Sequence, residues 1–171
     1  MILGKDEIKK MISDGKLVKN IINTDVQTQA AGIDLTVGKI FSLNGTGILD
    51  FTNEKRKLPE YQEAELKENK WVLEPGPYNV AINEFILLPK NIMALVFPRS
   101  SAVACGLTVN TAVWDPGYEG RGILYINASR KVELYKNARF AQMIFLRVEG
   151  ESEYKGIFKG EDVLEKGKRG L

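Results

Sequence analysis

Apolar runs of about five to eight residues recur along this chain, each broken off by turn residues. They read GIDLTVGKIFSL, NVAINEFILL, IMALVFP, GLTVNTAVW, GILYINA and FAQMIFLRV. In the last, Phe140, Gln142, Ile144, Leu146 and Val148 alternate with Ala141, Met143, Phe145 and Arg147, the period-two pattern of a strand with two unlike faces. In GILYINA the same rule sets Ile123, Tyr125 and Asn127 on one face and Leu124 and Ile126 on the other. Many short strands at this spacing predict an all-β sandwich or barrel. Helical period is confined to one stretch, Asp6 to Asp14, where Ile8, Met11 and Ile12 share a face. There Asp6 can cap the start and Gly15 can end the helix.

Two stretches depart from the strand pattern. Between Glu54 and Lys70, ten of seventeen residues are charged, which reads as a solvated excursion between strands rather than a second domain. From about Glu151 the chain turns Gly- and Lys-rich, with aromatic residues at Tyr154 and Phe158, and reads as a tail that is mobile until something binds. The expectation is one domain over residues 1–171, with that tail from about 151. A chain of this length buries roughly 70% of its unfolded surface, enough for a core without disulfide staples.

Charge excludes little: 24 Lys and Arg against 22 Asp and Glu leave +2, too balanced to argue a nucleic-acid surface. No run reaches the length of a membrane span and the start lacks an apolar leader, so the expectation is a cytoplasmic protein with neither nucleic acid nor membrane as partner. The absence of His and the single Cys105 exclude more. Ser-His-Asp and Cys-His catalysis and His/Cys zinc sites are ruled out, leaving carboxylates, hydroxyls, Arg, Lys or an oxygen-held metal.

Four stretches hold more polar residues and glycines than a β core needs. AAGIDLTVG sets Asp34 among apolar residues after Gly32; PRSSAVACG groups Arg99, Ser100 and Ser101 where a strand ends at Pro98. The Arg fork, two hydroxyls and backbone N–H groups suit a phosphate. AVWDPGYEG places Asp115 at the mouth of a turn, and YKNARFAQMIF places Gln142 at the start of an apolar strand. Each also has a plain structural reading: turn-amide bonding for Asp34 and Asp115, a capped junction for the serines, an edge position for Gln142, core packing for Trp114 and Tyr118.

Together and in this order they resemble the dUTPase and dCTP deaminase superfamily over about Ala31 to Ile144. Ala31-Gly32-Ile33-Asp34-Leu35 matches its A-G-x-D-L, Pro98 to Ser101 its P-R-S-[SG], and Arg139 to Ile144 its R-x-A-Q-[LM]-[IV]. AVWDPGYEG matches G-V-I-D-x-x-Y-x-G more loosely. The resemblance implies a jelly-roll-like distorted β-barrel that assembles as a homotrimer with sites between subunits. It implies Asp115 as the carboxylate that orients and deprotonates an attacking water, and Arg99, Ser100, Ser101 and Gln142 as triphosphate ligands. It sets Tyr118 on the deoxyribose, where a 2′-hydroxyl would clash, and brings Asn110 near the uracil. Mg²⁺ would arrive on the nucleotide.

The wording DPGYEG and the opening MILG stand nearer the deaminase branch and its archaeal dUTPase relatives. Deaminases carry a proton-shuttling Glu where this chain has Tyr125, and a second Arg where it has Ala104. A phenol holds its proton too tightly to shuttle it at neutral pH. The implied activity is therefore hydrolysis of dUTP to dUMP and pyrophosphate, with Tyr125 still facing the site. In the tail, YKGIFKGE keeps Tyr154 and Gly156 of the family's closing segment; Phe158 is set to stack on a base and Lys159 to reach a phosphate. The alternatives are a dCTP deaminase, alone or bifunctional, and a nucleotide-binding module that has lost catalysis.

Overall fold

The computed structural model describes residues 1–151 and 153–166; residues 167–171 of the expected tail lie outside them. Along the chain run α1 (Lys5–Ser13), β1 (Leu17–Lys19), α2 (Thr24–Gln27), β2 (Thr28–Gln29), β3 (Gly32–Asn44), β4 (Glu60–Glu63) and β5 (Lys70–Leu73). There follow β6 (Gly76–Ile82), β7 (Phe85–Leu87), β8 (Ile92–Pro98), α3 (Ser100–Ala104) and β9 (Leu107–Asn110). The chain continues through β10 (Glu119–Arg121), β11 (Ile123–Ala128), β12 (Val132–Tyr135), β13 (Arg139–Arg147), β14 (Glu161–Asp162) and α4 (Val163–Lys166). The architecture is all-β with few, short helices.

The largest sheet runs β8-β13-β3-β6-β11-β9, with β2 and β4 pairing alongside β3. It curls until Trp114, just beyond β9, meets Ala94 on β8 through paired backbone bonds of 2.9 and 3.1 Å. This nearly closes a barrel. A smaller sheet, β1-β7-β10-β14, and the β12-β5 ribbon complete the fold. Inward positions such as Ile33, Leu35, Val37, Val80, Leu124, Ile126, Met143 and Phe145 are buried together, the source of most of the stability.

Local chemistry explains where the observed elements depart from the sequence pattern. Helix α1 starts one residue earlier than expected, capped by the extended backbone of Gly4. Asp6 therefore lies in the first turn, against the positive helix end, instead of at the cap. The run NVAINEFILL is two strands, because Asn83 and Glu84 turn the chain between β6 and β7. On β13 a bulge at Phe140 shifts the alternation by one. Phe140 is thus buried beside Ala141 instead of sharing the Gln142 face. The charged excursion contributes β4, which pairs with β3.

The described part of the C-terminal segment makes contacts with the barrel. Tyr154 N–H bonds the Pro116 carbonyl at 2.8 Å, and Gly160 N–H bonds that of Glu119 at 2.7 Å. Strand β14 then lies parallel to β10, where Arg121 donates to Asp162 at 2.7 Å, both side chains buried. Val163 packs on Phe41 and Ala81. The contacts of this segment thus include a buried ion pair and an apolar anchor.

Glu84, fully buried, accepts hydrogen bonds from Thr36 N–H (3.0 Å), the Thr36 hydroxyl (2.6 Å) and Gln27 Nε2 (2.7 Å). It ties the β6–β7 turn to β3 and to the segment carrying α2. Burial pushes its carboxyl above the ordinary value, against the Thr36 and Gln27 bonds. A carboxyl raised in the fold stabilises fully below its unfolded value near ~4.3, and that contribution is lost as pH rises through the folded value. Glu84→Gln should therefore gain on the wild type in unfolding free energy, and with it in melting temperature, as pH rises from about 4 to 7, by up to roughly 1.4 kcal/mol for each pH unit by which the folded carboxyl is raised. Parallel melting curves across that range would contradict the assignment.

Candidate active site

The turn at Asp115 is built from its own sequence. Pro116 fixes its φ, Gly117 supplies a φ of +73°, and Tyr118 N–H closes onto the Asp115 carbonyl at 3.1 Å. This sends Asp115 outward, exposed, while Trp114 and Tyr118 turn inward. Their rings meet edge to face, with centroids 5.0 Å apart. Trp114 also donates through Nε1 to the Thr111 hydroxyl at 3.0 Å. The indole needs Gly122 beneath it, because a Cβ there would come within 2.3 Å of the ring.

These residues line a cleft of about 280 Å³ with Ala112, Ile123, Tyr154, Phe158 and Glu161. The docked tail forms one wall: the Tyr154 ring stands 5.5 Å from that of Tyr118. Asn110 and Tyr125 are register partners on β9 and β11, one residue before Thr111 and two after Ile123. Both are exposed, and neither is among the residues that line the cleft. The volume falls at the lower end for ligand sites and suits a base with its sugar better than a whole triphosphate.

The other predicted residues form a second group. Arg99, Ser100 and Ser101 stand at the end of β8 and on α3, and Gln142 on β13 faces Asp34 on β3. Arg99 is five residues along from Ala94, the partner of Trp114, so its backbone stands roughly 16 Å along the strand direction from that of Trp114. Asp34 is buried and bonded to Arg99 and Arg139. Burial pushes its carboxyl above the ordinary value, against the pull of the Arg99 and Arg139 charges.

Lys159 belongs to neither group. It pairs with Glu153, as Lys90 does, in a separate groove beyond Tyr118. Bonds from Lys159 and then Lys90 hold the Glu153 carboxyl down at about 2. The sequence reading missed Thr111, Ile123 and Glu161 as lining residues; their signal was position, each within two residues of one already singled out.

Among the described residues no group of three or more His, Cys, Asp or Glu side chains is placed to hold a metal, and no helix is long and apolar enough to cross a membrane. A cation carried by a triphosphate takes its oxygens from phosphate and water, which one outward carboxylate such as Asp115 accommodates.

Relatives of the chain are found among known proteins. A protein of Archaeoglobus fulgidus named probable deoxyuridine 5′-triphosphate nucleotidohydrolase is 38% identical over 166 residues, covering 95% of this chain and 98% of its own. Deoxyuridine 5′-triphosphate nucleotidohydrolase of Methanocaldococcus jannaschii is 40% identical over 155 residues, 88% of this chain and 99% of its own. In three dimensions the chain resembles 2′-deoxycytidine 5′-triphosphate deaminase from Agrobacterium tumefaciens, with a TM-score of 0.67 at 23% identity. That likeness, one of fold, covers 86% of this chain and 48% of the other, longer one. The sequence profile of the dCTP deaminase-like family matches residues 2–148, and the chain belongs to that family.

Proposed function

We propose that this protein is a dUTP diphosphatase, hydrolysing dUTP to dUMP and pyrophosphate. The observation that carries the reading is Asp115, held outward by its turn at the mouth of an aromatic-walled cleft. The names of relatives at 38% and 40% identity support it. In this reading the base and deoxyribose enter the cleft, with Tyr118 against the sugar and Asn110 and Tyr125 along the base. Tyr154 and Phe158 close over them from the tail. Asp115 orients a water toward the α-phosphorus and takes its proton. Mg²⁺ carried by the nucleotide neutralises phosphate charge and eases departure of pyrophosphate. Arg99, Ser100, Ser101 and Gln142 grip the phosphates.

The distance between the two groups favours a homotrimer in which a second copy completes each site. The outer face of β8 and β13 carries Met93, Leu95, Phe97, Ile144 and Leu146, all at least partly exposed, and ends at Gln142 and Arg99. An apolar sheet face of this kind is suited to burial against another copy, which would bring the phosphate group of one subunit to the cleft of the next.

Asp115→Asn should lower kcat for dUTP by about a thousandfold while leaving dUTP affinity within about threefold, since only the base is lost. Near-normal turnover would contradict the assigned mechanism. With Mg²⁺, dUTP should yield pyrophosphate and dCTP should yield no ammonia; ammonia would show that another group supplies the proton transfer for which Tyr125 is unsuited. Phe97→Asp should convert a trimer to smaller species in light scattering and abolish turnover with it. An unchanged mass would remove this face from the assembly.

A further inference from the structure

Two guanidinium groups meet on a single carboxylate oxygen at the end of the barrel. Asp34 Oδ2 lies 3.1 Å from Arg99 Nε and 3.1 Å from Arg139 Nη1, and accepts a hydrogen bond from Gln29 Nε2 at 3.2 Å. The Asp34 side chain is 1% exposed, those of Arg99 and Arg139 28% and 35%. The carboxylate is therefore inside and the two cations stand between it and solvent.

The bonding uses only part of each Arg fork. Arg99 Nη1 donates to the Arg139 carbonyl at 3.2 Å; Arg139 Nη1 donates to the Val26 carbonyl and to Asp34, each at 3.1 Å. Both Nη2 groups have no partner among the described residues, and two cations share one anion. Like charges held this close repel unless further negative charge meets them. Planar forks with free N–H groups are suited to phosphate oxygens.

The backbone aims the second fork deliberately. Arg139 and Gln142 are three apart, which in a regular strand puts them on opposite faces. The bulge at Phe140 restores them to one side, beside Asp34 and Arg99. The second Arg that the deaminase pattern places after R-S-S is Ala104 here, and Arg139 offers a guanidinium from β13 instead.

We propose that Arg139 is a second polyphosphate-binding side chain paired with Arg99, and that Asp34 is the positioning residue that holds the two forks side by side. The ligand chemistry is the terminal phosphates of a nucleoside triphosphate, so the inference rests on the proposed hydrolase function and deepens it.

Inorganic tripolyphosphate, titrated calorimetrically into the full chain, tests the clamp without relying on turnover. Arg139→Gln should weaken its binding about tenfold and raise KM for dUTP in parallel, with kcat kept within about threefold. Asp34→Asn should also weaken tripolyphosphate, although it removes a negative charge from an anion site. A purely electrostatic role predicts the reverse, so tighter binding by Asp34→Asn overturns the positioning role. Unchanged binding by Arg139→Gln overturns the second contact. Arg139→Lys keeps the charge without the fork, and serves if the Gln variant does not fold; wild-type affinity in it would overturn the paired-fork arrangement. Tripolyphosphate binding with this pattern but no dUTP turnover would leave the clamp standing and refute the hydrolase reading, whereas no binding by the wild type refutes the clamp itself.

Discussion

A carboxylate shut away from water is costly unless it is paired, and Asp34 is shut away almost completely. Its two Arg partners come from the end of β8 and the start of β13, and Arg139 also bonds the Val26 carbonyl on the segment that covers β3. One buried charge thus pins the ends of three strands and the layer over them. The neighbouring Glu84 does the same for the β6–β7 turn through Thr36 and Gln27, with Gln27 Nε2 also donating to the Asp34 carbonyl. The fold and the cationic group depend on the same contact, so changes at Asp34 reach both.

The second organising feature is the separation of chemistry from charge. The cleft at Asp115 is aromatic, bounded by Trp114, Tyr118 and Tyr154, and suits the flat faces of a base and its sugar. The cations gather elsewhere, next to an apolar outer sheet face. In the proposed trimer each protomer would supply two partial sites, and symmetric assembly would complete them. In such an arrangement oligomerisation and catalysis become one property.

Much of this was legible wherever the signal was local. The turn at Asp115 follows from Pro116 and Gly117, and the end of β8 follows from Pro98. Gly32 in AAGID also has a physical reason: a Cβ there would come 2.3 Å from the Met143 carbonyl oxygen, where β13 crosses. What escaped the sequence depends on distant partners or on phase. Arg121 and Asp162 pair across 41 residues, and nothing local to either reveals the other. Glu84 sits inside an apolar run, and nothing local reveals that Thr36 will meet it. Alternation placed Phe140 with Gln142, and one bulged residue reversed it.

Whether two copies share each site is the claim on which the rest turns, and subunit mixing measures it directly. Asp115→Asn and Arg99→Gln chains, each nearly inactive alone, would be unfolded together in equal amounts, refolded and assayed with dUTP. If each site takes Asp115 from one subunit and Arg99 from another, random mixing leaves about a quarter of the sites intact, and activity should return to about that fraction of wild type. No recovery in mixed assemblies would mean that each chain carries both groups for its own site, and would contradict a site shared between subunits.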